Sequence, residues 1–310
     1  MADDGGVDLE PYRGELIAYC YRMLGAFHEA EDVAQEVMLR AWRARGRYDP
    51  ARASLRTWLY RIATNACLTE LQGRARRPLP SGLGAASEDT TVPLNPAMDI
   101  PWLEPFPDAR YEQDARVDLR LALVAAMQIL PARQRAVLIL REVLEFPAAE
   151  VATLLGTSVP AVNSALQRAR AAVAQTAPEA VAVAEPDDRA GREVVARYAE
   201  AFEAGDVPGL VKLLTEDAVL EMPPVPLWYR GQAAYGRFMD RVFAMRGFGW
   251  AARPVSANGQ PALATYAPDG DVRRAHSLQV FTIADGLVAR NVVFADPRLF
   301  AAFDLPERCD

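Results

Sequence analysis

The spacing of apolar and polar residues divides the chain into helical segments followed by a mixed segment. Residues 8–78 and 116–176 have the periodicity of helices. The Pro- and Gly-containing residues 79–115 show no periodicity and are predicted to link them, and the Ala-, Glu-, Asp- and Pro-rich residues 177–189 to form a second linker. In residues 190–300 helices are followed by strands. The pattern predicts a multidomain protein with two all-α domains and a C-terminal α+β domain.

The clearest helix has one apolar stripe and a distinct polar face. The stripe consists of Ala30, Val33, Ala34, Val37, Met38, Ala41 and Trp42. Another face of the same helix carries Asp32, Gln35, Glu36 and Leu39. A leucine among acidic and amide groups is typical of a protein-docking face, although a solvated face explains the same pattern.

Charged residues are distributed unevenly over the first predicted domain. The whole chain of 310 residues has a net charge of −7, which argues against general coating of nucleic acid. Met1 to Glu36 contains nine acidic and two basic residues, whereas Leu39 to Arg77 contains ten arginines and two acidic residues. Such asymmetry predicts two partners of opposite charge, although two solvated faces would give the same distribution.

The basic stretch combines the side chains that unpaired DNA requires. Arginines neutralise phosphates, Thr and Asn hydrogen-bond base edges, and aromatic rings stack on bases. Trp58 has a second interpretation as a core residue, because aromatic side chains at helical spacing are usually buried. The candidate DNA-binding residues of this stretch are Arg47, Arg52, Thr57, Trp58, Arg61, Asn65, Arg74, Arg76 and Arg77.

A second DNA-binding pattern lies near residue 160. A short helix with Ala148, Val151, Leu154 and Leu155 is followed by a Gly-Thr-Ser turn and a second helix, which Ser158 caps. The order of helix, tight turn and polar helix indicates a helix-turn-helix, although ordinary helical hairpins share it. The candidate base-reading residues are Ser158, Asn163, Ser164, Gln167, Arg168 and Arg170.

Three further segments carry a resemblance to a known family. They are residues 29–42, EAEDVAQEVMLRAW, residues 57–68, TWLYRIATNACL, and residues 130–138, LPARQRAVL. Together with the helix-turn-helix, their order and spacing resemble the extracytoplasmic-function class of bacterial sigma factors over roughly the first 175 residues.

The resemblance implies a set of partners and sites. Residues 45–77 would melt and hold the promoter −10 element, and residues 147–170 would read the −35 element. The helix at 29–43 would dock on the β′ clamp of core RNA polymerase, with the β subunit as a further partner. The docking residues that the resemblance implies are Asp32, Gln35, Glu36 and Leu39.

The chain departs from the family pattern in two places. Asn163 and Ala165 stand where Lys and Arg are frequent, so the recognition helix is less basic and its −35 sequence is not implied. The connector contains the acidic, Pro-rich and aromatic stretch PWLEPFPD at residues 101–108. In this family the connector runs through the polymerase cleft. Its acidic residues would mimic nucleic-acid charge there, and a solvated linker is the alternative.

The C-terminal segment has its own pattern of elements. Helices are predicted at Arg192–Phe202 and Gln232–Met245, and strands near residues 218–222, 249–256, 262–266, 274–283 and 288–295. Asp269-Gly270 and Asp285-Gly286 are hairpin signals. This order resembles the SnoaL-like members of the nuclear-transport-factor-like superfamily. The resemblance implies a curved sheet wrapped around helices to form a cone.

Three roles are open for the C-terminal domain. Regulation of the sigma unit in cis is the leading interpretation. A pocket for an unknown small ligand and an isomerase- or cyclase-like activity are the alternatives, since the superfamily contains such enzymes. No residue spacing demands catalysis, so the chain is expected not to be an enzyme. A one-component repressor would explain the helix-turn-helix but not residues 29–77. The candidate pocket residues are Trp228, Tyr229, Trp250, His276 and Phe281.

Composition excludes several other classes of protein. Three distant cysteines and two histidines support neither a disulfide framework nor a metal site, and no cofactor is expected. No long apolar run or signal peptide is recognisable, so we expect a cytoplasmic protein without a membrane partner. The apolar residues Leu299, Phe300 and Phe303 are predicted either to contact the sigma unit or to pack on the sheet of their own domain.

Overall fold

The structure, a computed structural model, describes residues 8–110, 119–176 and 188–309. Its described residues form two compact units. The first unit consists of residues 8–76 and 119–176. The second unit consists of residues 77–110 and 188–309. Most of the segment expected as the first linker is thus part of the C-terminal unit. The second expected linker lies almost wholly outside the described residues.

The first unit is helical throughout. Short 3₁₀ turns span Glu10–Tyr12 and Arg45–Arg47, and a π-helical turn spans Ile139–Val143. The α-helices are α1 (Arg13–Leu24), α2 (Phe27–Ala44), α3 (Leu55–Glu70), α4 (Leu121–Met127), α5 (Ala132–Leu138), α6 (Ala148–Leu155) and α7 (Val159–Thr176).

The apolar stripe of α2 is buried, apart from the half-buried Val33 and its C-terminal end. Ala30, Ala34, Val37 and Ala41 are buried, as the periodicity predicts. The expectation that Trp42 belongs to this stripe is wrong, because 52% of Trp42 is exposed. At about 100° per residue, Trp42 lies roughly 100° from the centre of the stripe, which places it at the edge of the buried face.

Helix α3 begins at a side-chain cap and packs on α1. The Ser54 hydroxyl accepts a hydrogen bond from the Thr57 backbone N–H at 3.1 Å, which satisfies one of the free donors of the first turn. Inside the unit, Tyr19 of α1 and Thr64 of α3 form a buried hydroxyl–hydroxyl hydrogen bond of 2.7 Å. This contact ties the two helices together.

The helix-turn-helix is formed by α6 and α7. Gly156 ends α6 with a φ of 62°, a left-handed conformation that favours glycine. Ser158 caps α7 through a hydrogen bond from the Ala161 backbone N–H to its hydroxyl at 3.4 Å. The predicted core stripe of α7 is confirmed, since its members are buried: Val162, Leu166, Ala169 and Val173.

The second unit is built on one mixed sheet. Its strand order is β2-β1-β6-β5-β4-β3, with β7 paired to β5, and the β1–β6 pair is parallel whereas the other pairs are antiparallel. The strands are β1 (Leu214–Glu221), β2 (Trp228–Arg230), β3 (Ala251–Ala257), β4 (Gln260–Asp269), β5 (Val272–Ala284), β6 (Leu287–Phe294) and β7 (Arg308–Cys309). The helices are α8 (Asp188–Ala204), α9 (Val207–Lys212), α10 (Gln232–Arg246) and α11 (Leu299–Ala302).

One face of the sheet packs against α8 and α10. Tyr198 of α8 contacts Phe281 of β5 with ring centroids 4.9 Å apart. The Tyr198 and Tyr235 hydroxyls lie 2.7 Å apart, and the Asn291 amide of β6 donates to Tyr235 at 2.8 Å. The core between helices and sheet therefore contains a buried polar network. The α+β class of this unit is confirmed.

The C-terminal turn packs on the sheet as well. Leu299, Phe300 and Phe303 are buried, and the Phe300 ring meets Tyr266 of β4 edge-on at 5.3 Å. Of the two interpretations of these residues, packing on their own domain is the one that the structure shows. A contact of these residues with the sigma unit stays a prediction.

No helix within the described ranges combines the length and the hydropathy that crossing a membrane would need.

Candidate functional site

The predicted docking face of α2 is exposed. Asp32 and Gln35 point to solvent, Leu39 is 43% exposed, and the half-buried Glu36 pairs with Arg40 at 2.7 Å. An exposed apolar side chain between acidic and amide groups provides a contact area with a polar rim.

Trp42 extends the same face, although sequence reasoning assigned it to the core. Its indole carries the Arg45 guanidinium 3.9 Å from the ring centroid, within the range of a cation–π interaction. At about 100° per residue, Trp42 lies next to Gln35 and Leu39 on the helix surface. The angular position of Trp42 around the helix axis is the sequence signal that could have placed it on the exposed face.

The loop before α3 is ordered by aromatic contacts. Tyr48 donates to the Ala53 carbonyl at 3.2 Å and packs on Trp58 with ring centroids 5.3 Å apart. Arg47 and Arg52 are exposed on this loop. Trp58 itself is only 8% exposed, so its ring supports the loop in this structure.

The polar face of α3 is only partly free. Arg61 and Asn65 are exposed, whereas the Thr57 hydroxyl donates to the Glu150 carboxylate of α6 at 2.9 Å. Of the basic residues beyond α3, Arg74 pairs with Glu29 and Glu70, and Arg76 is exposed. Arg77 belongs to the second unit and donates to the Trp102 carbonyl at 3.0 Å.

The candidate base-reading residues share one exposed surface of the helix-turn-helix. Arg170 also forms an ion pair with Glu142 at 2.6 Å. The exposed set comprises Ser158, Asn163, Ser164, Gln167, Arg168 and Arg170.

Two arginines that sequence reasoning missed join the halves of the first unit. Arg56 of α3 lies over the Phe146 ring at 4.9 Å and donates to Glu15 at 3.2 Å. Arg135 of α5 is buried and donates to the Met23 carbonyl, besides the Gln128 side chain at 2.6 Å. Burial lowers the pKa of Arg135 to about 10. Its guanidinium is thus still charged at neutral pH.

The candidate pocket residues of the second unit are distributed over its core. Trp250 and His276 pack together with ring centroids 5.0 Å apart, whereas Tyr229 packs on Phe238 and Phe281 on Tyr198. Tyr229 and Phe281 are fully buried. Burial, assisted by the positive charge of Arg246, lowers the pKa of His276 to about 4.

The fifth candidate, Trp228, binds the connector. Its indole N–H donates to the Gly84 carbonyl at 2.9 Å. Arg241 of α10 donates to the Thr90 and Val92 carbonyls at 2.5 and 2.7 Å. The connector is therefore held to the α+β domain through its backbone, which no side-chain pattern in the sequence would reveal.

The acidic end of the connector is anchored to the β3–β4 turn. Asp108 accepts hydrogen bonds from the Ser256 hydroxyl at 2.5 Å and the Gly259 backbone N–H at 2.8 Å. This carboxylate is buried. Asp108 thus has a binding partner within its own unit, whereas the sequence suggested nucleic-acid mimicry or solvent.

Comparison with known proteins identifies family matches for three segments of the chain. Residues 9–77 match sigma-70 region 2, residues 120–173 match sigma-70 region 4, and residues 195–291 match a SnoaL-like domain. The chain is 46% identical to the ECF RNA polymerase sigma factor SigG of Mycobacterium tuberculosis, covering 98% of this chain and 84% of that protein.

A second relative matches in sequence and in structure. The ECF RNA polymerase sigma factor SigJ of Mycobacterium tuberculosis is 30% identical, covering 97% of this chain and 95% of SigJ. The SigJ crystal structure superposes with a TM-score of 0.66 at 26% identity, covering 96% of this chain and 98% of that one. The chain therefore belongs to the ECF RNA polymerase sigma factors and carries a SnoaL-like domain behind sigma regions 2 and 4.

Proposed function

We propose that this sigma factor docks on the β′ clamp of core RNA polymerase through the exposed face of α2. The observation that supports this most is the apolar pair Leu39 and Trp42, exposed beside Asp32 and Gln35 on a helix whose opposite side is buried. Run-off transcription with purified core tests the whole function. Core with this protein should initiate at a cognate promoter, and core alone should not.

The DNA-binding roles are divided between the two regions. Arg47, Arg52 and Arg61 are exposed on and beside α3, where they would neutralise phosphates of the melted −10 element. The exposed polar face of α7 would enter the major groove at the −35 element. Asn163 and Gln167 on that face are suited to bidentate contacts with adenine.

For the SnoaL-like domain we propose regulation in cis through the connector. The connector joins regions 2 and 4, and Arg241 and Trp228 bind its backbone. A domain that holds this segment controls how far the two regions can separate. Catalysis has less support, because His276 with a pKa of about 4 is a weak base for proton transfer at neutral pH.

An arginine substitution on α10 tests the regulatory role. Arg241→Ala removes both hydrogen bonds to the connector, and Arg237→Ala on the same helix removes an exposed arginine. Limited proteolysis should cut the connector faster in Arg241→Ala alone, and run-off transcription should change in the same variant. Faster cutting with unchanged transcription would remove the connector from regulation while leaving the sigma function intact.

A further inference from the structure

Two thiols meet inside region 2. Cys20 of α1 and Cys67 of α3 are both fully buried, and neither takes part in a disulfide. The Cys67 thiol is hydrogen-bonded to Cys20, and this bond, followed by burial, raises the pKa of Cys67. The two cysteines are far apart in the sequence, and it is the packing of α1 on α3 that brings them together.

The register between α1 and α3 accounts for this contact. Glu15 accepts a hydrogen bond from the Tyr60 hydroxyl at 3.3 Å, and the Tyr19 and Thr64 hydroxyls lie 2.7 Å apart. In both pairs the α3 residue follows its α1 partner by 45 positions. The two helices therefore run in the same direction in a fixed register. The pair of cysteines lies beside the second of these contacts, further along the same interface.

The hydrogen bond gives the two sulfurs different roles. Because its pKa is raised, Cys67 keeps its proton and acts as the donor, and Cys20 is the acceptor. A hydrogen bond from a thiol stabilises a thiolate that accepts it, and the thiolate is the form of cysteine that reacts with oxidants. Cys20 is thus the nucleophile of the pair, and Cys67 is in position to react with it in a second step.

A buried positive charge lies next to the pair. The hydrogen bond and burial raise the pKa of Cys67, and the guanidinium of Arg135 acts against both. Arg135 donates to uncharged oxygens, among them the Met23 carbonyl and the Gln128 side chain. Within the described part of the chain its Nε has no partner and it forms no ion pair. A cation that no carboxylate neutralises favours ionised sulfur in its surroundings.

We propose that Cys20 and Cys67 form a dithiol site that a hydroperoxide oxidises to a disulfide, which staples α1 to α3. The Cys20 thiolate attacks one oxygen of hydrogen peroxide, the O–O bond breaks, and a sulfenic acid and water form. The Cys67 sulfur then attacks the sulfenic sulfur, the S–O bond breaks, and a second water leaves with the proton of Cys67. The two thiols lose two electrons and two protons, and one peroxide becomes two waters.

The site goes beyond the proposed sigma function and does not depend on it. Burial keeps both sulfurs away from bulk solvent, so the reaction requires a small oxidant and a local opening between α1 and α3. The disulfide closes a loop of roughly 50 residues and thereby restricts the unfolded chain. Oxidation should therefore stabilise the helix that carries the −10-binding face, and a reductant should reverse the change.

Thiol counting in the full-length protein tests the site. Reduced protein is exposed to hydrogen peroxide, denatured and titrated with a chromogenic thiol reagent. Wild type should fall from three thiols to one, and peptide mapping by mass spectrometry should find Cys20 joined to Cys67. The third cysteine, Cys309, is buried in the other unit, so Cys309→Ser is the matched control and should form the same crosslink. Retention of all thiols by the folded protein, under conditions that oxidise the unfolded chain, would overturn the proposal.

Single variants test the roles of the two sulfurs. In Cys67→Ser a hydroxyl still donates to Cys20, so a sulfenic acid should accumulate on Cys20 and react with dimedone. Cys20→Ser should give at least about tenfold less dimedone adduct, because Cys67 keeps its proton. Equal labelling of the two variants would contradict the assignment of Cys20 as the nucleophile.

Thermal unfolding tests the staple. Oxidised wild type should melt about 5 °C or more above the reduced protein, and dithiothreitol should remove the difference. Cys20→Ala cannot form the crosslink and should melt at the same temperature before and after peroxide. This comparison is made within one variant, so it stays valid where the substitution itself lowers stability. Equal melting temperatures for oxidised and reduced wild type would refute the stapling of α1 to α3.

Discussion

Asn258 binds Phe106 through two backbone-directed hydrogen bonds. Its side-chain oxygen accepts from the Phe106 N–H at 2.8 Å, and its own N–H donates to the Phe106 carbonyl at 3.0 Å. Asn258 has a φ of 59°, which asparagine adopts more readily than most residues. One residue on the β3–β4 turn therefore fixes the end of the connector on the sheet.

Replacement of Asn258 should release this end of the connector. Asn258→Gly keeps the left-handed backbone and leaves the buried Phe106 N–H without its acceptor, so the free energy of unfolding should fall by about 1–3 kcal/mol. Chemical denaturation measures the change. Asp285→Gly, at an exposed turn residue with a φ of 52°, is the control and should stay within about 0.5 kcal/mol of wild type.

Trp42 should contribute to the affinity for core polymerase. Trp42→Ala removes an exposed indole, and an aromatic anchor at a protein interface is worth about 2 kcal/mol or more, or roughly thirtyfold in dissociation constant. The melting temperature should stay close to wild type because the side chain is largely exposed. Fluorescence titration with core measures the affinity, and a wild-type value would exclude Trp42 from the interface.

The polar residues on the exposed face of α2 should contribute to core binding as well. Asp32→Ala combined with Gln35→Ala should weaken core binding while leaving the fold intact, since both side chains are exposed. A circular dichroism spectrum checks the fold and a pull-down with core checks binding. Undiminished pull-down would remove these two residues from the interface.

Histidine titration predicts a pH-dependent stability. His276 has its pKa lowered to about 4 by burial, against an ordinary value of 6.5. The unfolded chain therefore takes up a proton before the folded one does. Stability from this group is fully present above pH 6.5 and is lost as the pH falls towards 4, at up to about 1.4 kcal/mol per pH unit.

Two variants isolate that contribution. His276→Phe should flatten the pH dependence of the unfolding free energy between pH 6.5 and 4. His276→Gln, which also removes the titratable group, should flatten the dependence in the same way. Equal slopes for wild type and His276→Phe would show that carboxyl groups alone govern acid unfolding.

Local patterns were sufficient to predict much of the fold. The α7 stripe from Val162 to Val173 has the helical period. Asp285 and Gly286, the predicted hairpin signal, both adopt the left-handed conformation that a two-residue turn needs. What the sequence does not predict are contacts between residues that are distant in the chain. Arg135 is charged and gives no apolar signal, yet it is buried, and the Met23 carbonyl, far away in the chain, accepts one of its hydrogen bonds.

The connector illustrates the same limit for the candidate sites. Its Pro-rich sequence lacks periodicity because it packs irregularly through backbone groups that Arg241 and Trp228 bind. Side-chain patterns cannot report such backbone contacts. The exposure of the docking face of α2 and the base-reading face of α7, in contrast, could be predicted, because each lies away from a buried stripe. Gln35 and Asn163 are examples.

Substitutions on α3 and α7 should separate promoter opening from promoter reading. Arg61→Ala with Asn65→Ala removes an exposed pair beside the basic loop, so melting of the −10 element should fall while upstream sequence preference is kept. Asn163→Ala and Gln167→Ala should each remove about 1–3 kcal/mol of discrimination at one −35 base pair and leave melting on a compensated promoter unchanged. Permanganate footprinting reports unpaired thymines at −10, and competition binding with −35 variants reports preference. Normal opening by the α3 double variant would contradict the assignment of that face. If the α3 double variant instead changed the −35 preference and the α7 variants did not, α3 rather than α7 would read the −35 element.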